Sequence, residues 1–135
     1  MRRVAALVCA VSTLIGCSAD QGSVEELCAA WKAVPDAAGL FAGFDPSDAP
    51  RALQQLTAGR VVLRELRSAA PPQPRKDLDV EIAYFDALID GLAELDGSDA
   101  EQAARLVDEI TAEHPAVAEA AARLVSFSEE SCTAP

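Results

Sequence analysis

The stretch KDLDVEIAYFDALIDGLAELDG, residues 76–97, decides how the chain folds. Leu78, Ile82, Phe85, Ile89 and Leu92 recur at alternating spacings of four and three, which sets all five on one face of an α-helix. Asp96-Gly97 marks the end of that helix, and Ala70-Pro71-Pro72-Gln73-Pro74 before it reads as a stiff, non-helical connection.

The same period returns on either side. Ser23-Val24-Glu25-Glu26 is a capping-box pattern opening a helix with Val24, Leu27, Cys28, Trp31 and Val34 on its apolar stripe, stopped or kinked at Pro35. Residues 36–44 add a turn or two, and Asp45-Pro46-Ser47-Asp48-Ala49-Pro50 is turn chemistry with Asp48 a candidate cap. A second helix reaches Ala69 with Leu53, Leu56, Leu63 and Leu66 on one face. Gly59 weakens its middle by roughly 1 kcal/mol unless another backbone lies there. Beyond residue 97, Ser98-Asp99-Ala100-Glu101 forms another capping box, for a fourth helix with Leu106, Ile110, Val117, Ala121, Leu124 and Ser128 on one stripe. Pro115 interrupts that stripe, which resumes in phase, so a kink or brief break is expected and not a reversal.

The amino terminus has a different character. Arg2 and Arg3 precede an almost wholly apolar run from Val4 to Ile15, the shape of a secretory signal peptide; a membrane span would need about 20 apolar residues. The run ends in Leu14-Ile15-Gly16-Cys17, which resembles the lipobox of bacterial lipoproteins. The resemblance covers the first 17 residues. It implies that residues 1–16 are removed, that the Cys17 thiol carries a diacylglyceryl group, and that the new amino terminus can be acylated too, with palmitate-type chains. Two or more acyl chains hold a protein stably on a membrane surface without crossing it, so anchoring to the outer face of the bacterial cell membrane is expected. Residues 17–22 then form a lipidated tether, and residues 23–135 a single domain.

Processing changes the charge and cysteine counts. The whole chain carries 11 basic and 22 acidic residues; losing Arg2 and Arg3 leaves nine bases against the same 22 acids, a net charge of −13. Nucleic acid and anionic head groups repel such a surface, and the densest basic run, Arg60, Arg64 and Arg67, is interleaved with Glu65. Cys9 leaves with the leader and Cys17 is acylated, so Cys28 and Cys132 remain, an even pair that suggests a disulfide in an exported protein. Metal binding needs more ligands than two cysteines and one distant His114 readily supply. In an up-and-down bundle the two cysteines meet only if the helix count is even. The expected fold is therefore all-α, an antiparallel up-and-down four-helix bundle closed by a Cys28–Cys132 disulfide between its terminal helices, with a short connection at residues 96–99 and longer ones elsewhere. Three long helices with irregular segments is the alternative.

Chemistry is scarce along this chain. The G-x-S-x-G, H-E-x-x-H and phosphate-loop patterns are absent, and His114 reads as a polar surface residue. The acid pairs Glu25/Glu26, Asp77/Asp79 and Asp96/Asp99 read as caps and solvated charges; Glu129/Glu130 opposes its helix dipole. Trp31 is expected to cover the disulfide, and Tyr84 to point partly outward. No catalytic, cofactor-binding or metal residue is assigned, and no cofactor is implied. The expectation is a non-enzymatic, lipid-anchored envelope protein that binds a partner protein or small ligand, with a structural or protective surface lipoprotein as the alternative. Gly39, Phe41, Gly43 and Phe44 favour binding, because a plain bundle has no need of an apolar, flexible segment there. An enzyme would require an acid pair buried in a cleft.

Overall fold

The computed structural model describes residues 21–41, 43–95 and 99–133. The signal segment, Cys17, the Asp96-Gly97 helix end and Ser98 lie outside the described residues. The fold is all-helical: α1 (Val24–Ala33), a 3-10 turn η1 (Ala38–Phe41), α2 (Ala49–Ala69), α3 (Pro72–Glu94), α4 (Ala100–Glu113) and α5 (Val117–Ser131). Among the described residues five α-helices thus stand where four were expected.

Local chemistry accounts for the boundaries. The Ser23 hydroxyl accepts from the Glu26 backbone N–H while the Glu26 carboxylate accepts from the Ser23 N–H, the reciprocal capping box expected at α1. Asp48 caps α2 by accepting from the Arg51 N–H. At α4 the cap is Asp99, whose carboxylate accepts from the Glu101 and Gln102 N–H groups, one residue later than the Ser98 pattern suggested. The largest local correction concerns the proline run, since α3 begins at Pro72 and includes Pro74. The first helical N–H groups have no intrahelical acceptor, so prolines in the first turn sacrifice no ladder bond, and their fixed φ suits the helix. Only Ala70 and Pro71 join α2 to α3, which makes this corner tight where a longer connection was expected. Arg75 secures it, donating from its guanidinium to the Ala70 carbonyl at 3.2 and 3.0 Å.

Pro115 divides the expected fourth helix. It has no N–H to donate and disfavours helical geometry in the residue before it, and His114 accordingly leaves the helix at φ −117° and ψ 60°. The chain turns once and restarts at Val117. Both halves follow α3 in succession: Leu106 and Ile110 of α4 lie against Gly91, whereas Arg123 of α5 reaches Asp77.

α3 is the central element, packed against α2, α4 and α5. Against α2 it runs antiparallel, with Arg60 and Arg64 paired to Asp86 at 2.9 and 3.4 Å and Arg67 paired to Asp79. The three arginines of the densest basic run are therefore spent within the fold. The core joins Leu27, Leu56, Leu63, Leu66, Leu78, Leu88, Leu92 and Leu124, all buried. Trp31 is partly buried against the same core. At the start of α1 the chain lies directly on the α2–α3 corner: a Cβ built on Gly22 would fall 1.9 Å from the Ala69 carbonyl oxygen.

The Cys28–Cys132 disulfide ties α1 to the end of α5, with the two Cα atoms 5.1 Å apart and 104 residues between them. α1 packs chiefly against α2 and α5, and the bridge joins it covalently to the second of these. Reduction should destabilise the domain by about 2–5 kcal/mol, read as a lower urea midpoint in reductant, with α1 amides exchanging first. An unchanged midpoint would show that α1 is held by packing alone.

Candidate functional site

The helices differ in length, and that difference opens a cavity. α1 has 10 residues against 21 in α2 and 23 in α3, so at about 1.5 Å per residue it covers less than half of their length. Beyond its end the bundle is completed by η1 and the segment through Phe44, which carry Gly39, Leu40 and Gly43 in place of a continuous helix face. The result is a cavity of about 510 Å³ bounded by η1, α2, α3 and α5. The break at Pro115 brings Val117, Ala118 and Ala121 of α5 to its wall. The apolar segment singled out in the sequence through Gly39, Gly43 and Phe44 is thus part of this wall.

Gly59 also contributes, though not as expected. Instead of another backbone, the Phe85 ring lies against it: a Cβ there would come within 2.8 Å of Phe85 Cε2 and 3.5 Å of Leu40 Cδ2. The missing side chain lets α3 and η1 close on α2 at the level of the cavity.

Glu81 stands in this apolar wall. It is only 2 % exposed and lines the cavity, and its Oε1 has no hydrogen-bond partner among the described residues. Burial, with the Asp77 charge one turn away, pushes its carboxyl up from 4.5 to about 7. Asp77 is also buried, at 6 %, but it is satisfied by Arg123, which donates from Nε and Nη2 at 3.0 and 2.7 Å and also pairs with Glu119 at 2.7 Å. Asp77 is therefore no surface cap paired with Asp79. The two buried acids have separate environments, and only Glu81 faces the cavity.

Tyr84 forms the edge nearest the α4–α5 break. Thr111 donates its hydroxyl hydrogen to the Val107 carbonyl at 2.7 Å, which leaves the Tyr84 hydroxyl to donate to Thr111 Oγ1 at 2.8 Å. The Tyr84 ring meets Phe85 edge-on and lies 5.6 Å from the His114 ring. His114 has a structural place in the break: its Nδ1 is 2.8 Å from the Ile110 carbonyl, which can only accept, so Nδ1 holds the proton. Among the described residues no three His, Cys, Asp or Glu side chains are grouped to hold a metal ion, and no described helix is long and apolar enough to cross a membrane. Glu129 and Glu130 are exposed.

Glu81 was absent from the sequence-derived candidates, yet a signal for it exists. Leu78, Glu81, Phe85, Leu88 and Leu92 form a second register of spacings three and four, and all five are buried. An acid interrupting an otherwise apolar register is the mark of a buried carboxyl.

The raised Glu81 carboxyl binds a proton more tightly in the folded state than in the unfolded one. Its contribution to stability is complete below pH 4.5 and is lost as pH rises through 7. Glu81→Gln, which cannot ionise, should gain on the native chain by roughly 2–3 kcal/mol between pH 5 and pH 8 in paired urea titrations. A difference independent of pH would mean that Glu81 is solvated. Compared with protein-family models, with curated proteins and with solved structures, the chain matches none, so its function has to be argued from the Glu81 cavity itself.

Proposed function

We propose that this chain is a lipid-anchored, non-enzymatic binding module of the bacterial cell envelope, held on the outer face of the membrane by acylated Cys17 and carrying a small molecule in the Glu81 cavity. The observation that carries the reading is a cavity of about 510 Å³ with mostly apolar walls and one buried, unpartnered carboxyl oxygen. Ligand pockets run from about 300 to 1,000 Å³ and combine apolar walls with a few placed polar groups. A purely protective lipoprotein gains nothing from this arrangement, because a filled core would be more stable than one that buries a carboxyl without a partner. Acid-pair catalysis is disfavoured for a specific reason: of the two buried acids Asp77 is taken by Arg123, and the other acid on the cavity, Asp36, is exposed and accepts from the Gly39 N–H.

The architecture suits a tethered module. It reads as an antiparallel bundle of four layers, the last made of α4 and α5 end to end. The tether of residues 17–22 spans less than about 20 Å even when extended, which keeps the disulfide-bearing end near the membrane. The cavity lies past the far end of α1, on the side away from the tether.

Two measurements test this. Cys17→Ala should release the protein from the membrane fraction, and a variant still matured and membrane-bound would overturn the anchor. The native protein, purified from its own envelope and denatured, should release a small molecule detectable by mass spectrometry, and Ala121→Phe, which fills the cavity wall, should lose it. Equal recovery from both chains would place the ligand elsewhere, and recovery from neither would overturn the binding role.

A further inference from the structure

The geometry points to an apolar amine as the occupant of the cavity, its ammonium group paired with the Glu81 carboxylate and its hydrocarbon body against Leu56, Val62 and Phe85. This inference rests on the binding role proposed above and narrows it to a ligand class. Three observations carry it.

The first is the balance of charge around the cavity. Asp36 and Glu81 line it, with Gln55 and Tyr84 as the other polar side chains, and among the described residues no Lys, Arg or His does. The nearby cations are engaged elsewhere: Arg123 of α5 with Asp77 and Glu119, and Arg60 of α2 with Asp86. His114 holds the Ile110 carbonyl. An anionic ligand would meet two acids and no counter-charge, whereas a cation meets its complement in a chain with a net charge of −11.

The second is the Glu81 carboxyl, which lines the cavity, is only 2 % exposed and has no hydrogen-bond partner for its Oε1 among the described residues. An ammonium beside it supplies both a donor and the opposite charge. The third is the aromatic set of Phe44, Tyr84 and Phe85 on the same cavity, whose ring faces attract a cation and whose area accepts a hydrocarbon body.

Binding is then an exchange. A protonated Glu81 carboxyl gives up its proton as the ammonium arrives, and the ion pair that forms leaves the net charge of the cavity as it was. The charged groups around Glu81 are Asp77 on its own helix, Asp36 before η1, Arg123 and Glu119 on α5, and Arg60 on α2. With the carboxyl titrating near 7, amine affinity should fall as pH drops, by one to two orders of magnitude from about pH 8 to pH 5.

The test is calorimetry on the full chain in phosphatidylcholine nanodiscs, with empty nanodiscs as the blank. Three probes share one hydrocarbon body: 1-adamantylamine, 1-adamantanol and 1-adamantanecarboxylate. At pH 8 the amine should bind at least tenfold more tightly than the alcohol, and the carboxylate most weakly. At pH 6 about one proton should be released per amine bound, measured in buffers of different ionisation heat. Glu81→Gln should erase the preference for amine over alcohol while alcohol binding persists, a readout that also reports that the variant is folded. If the alcohol binds as well as the amine, or better at low pH, or if the carboxylate binds best, the amine assignment fails while the cavity remains a binding site. If no probe binds, the binding role fails with it.

Discussion

The burial of α3 on two sides is the constraint on which the rest of the molecule depends. A helix at the edge of a bundle needs one apolar stripe. α3 packs against α2 on one side and against α4 and α5 on the other, and so buries two overlapping registers, 78–82–85–89–92 and 78–81–85–88–92. The first is apolar throughout. The second carries Glu81 into the interior, where a carboxylate is poorly solvated and the proton is held until neutral pH. Asp77, one turn earlier, meets the same burial with a different outcome because Arg123 reaches it from α5. One acid is neutralised by a guanidinium and the other has no partner for its Oε1 among the described residues.

The cavity follows from unequal helix lengths. α1 ends at Ala33 with Val34 as its cap, one residue before Pro35, and leaves more than half of the length of α2 uncovered by α1. η1 and the Phe44 segment border that gap with small residues at Gly39 and Gly43, too little to fill it. On the opposite wall the Pro115 break restarts the chain at Val117 and presents Ala118 and Ala121, again small. Two prolines far apart in sequence thus shape the same space, one by ending a helix early and the other by interrupting one.

Much of the fold was legible because its signals are local. The capping box at Ser23, the Asp48 cap, the stop before Pro35 and the α3 period each arise within a turn or two of chain. The Cys28–Cys132 pairing was expected from the two cysteines that the expected processing would leave, although its ends are 104 residues apart. Residue identity misleads where position within an element outweighs it. Pro72 and Pro74 were read as helix-excluding, yet at the first turn of α3 they forfeit no hydrogen bond. Pro115 has the same ring in the interior of a helical stretch, where the lost N–H and the restricted His114 divide the helix in two. Gly59 was read as a weak point, and its lack of a side chain is what admits Phe85.

The sequence by itself determined that the chain is helical and where most helices begin and end, because caps, turns and periodicity act between near neighbours. Only the tertiary structure decided which carboxyl is buried without a partner and where the helices leave space. Both depend on which faces meet: α3 became central through its contacts with three helices, and a single-sequence period cannot tell a helix covered on one side from a helix covered on two. The Glu81 site exists at that level alone, assembled from the consecutive elements η1, α2 and α3 and from α5, which α4 separates from them in sequence.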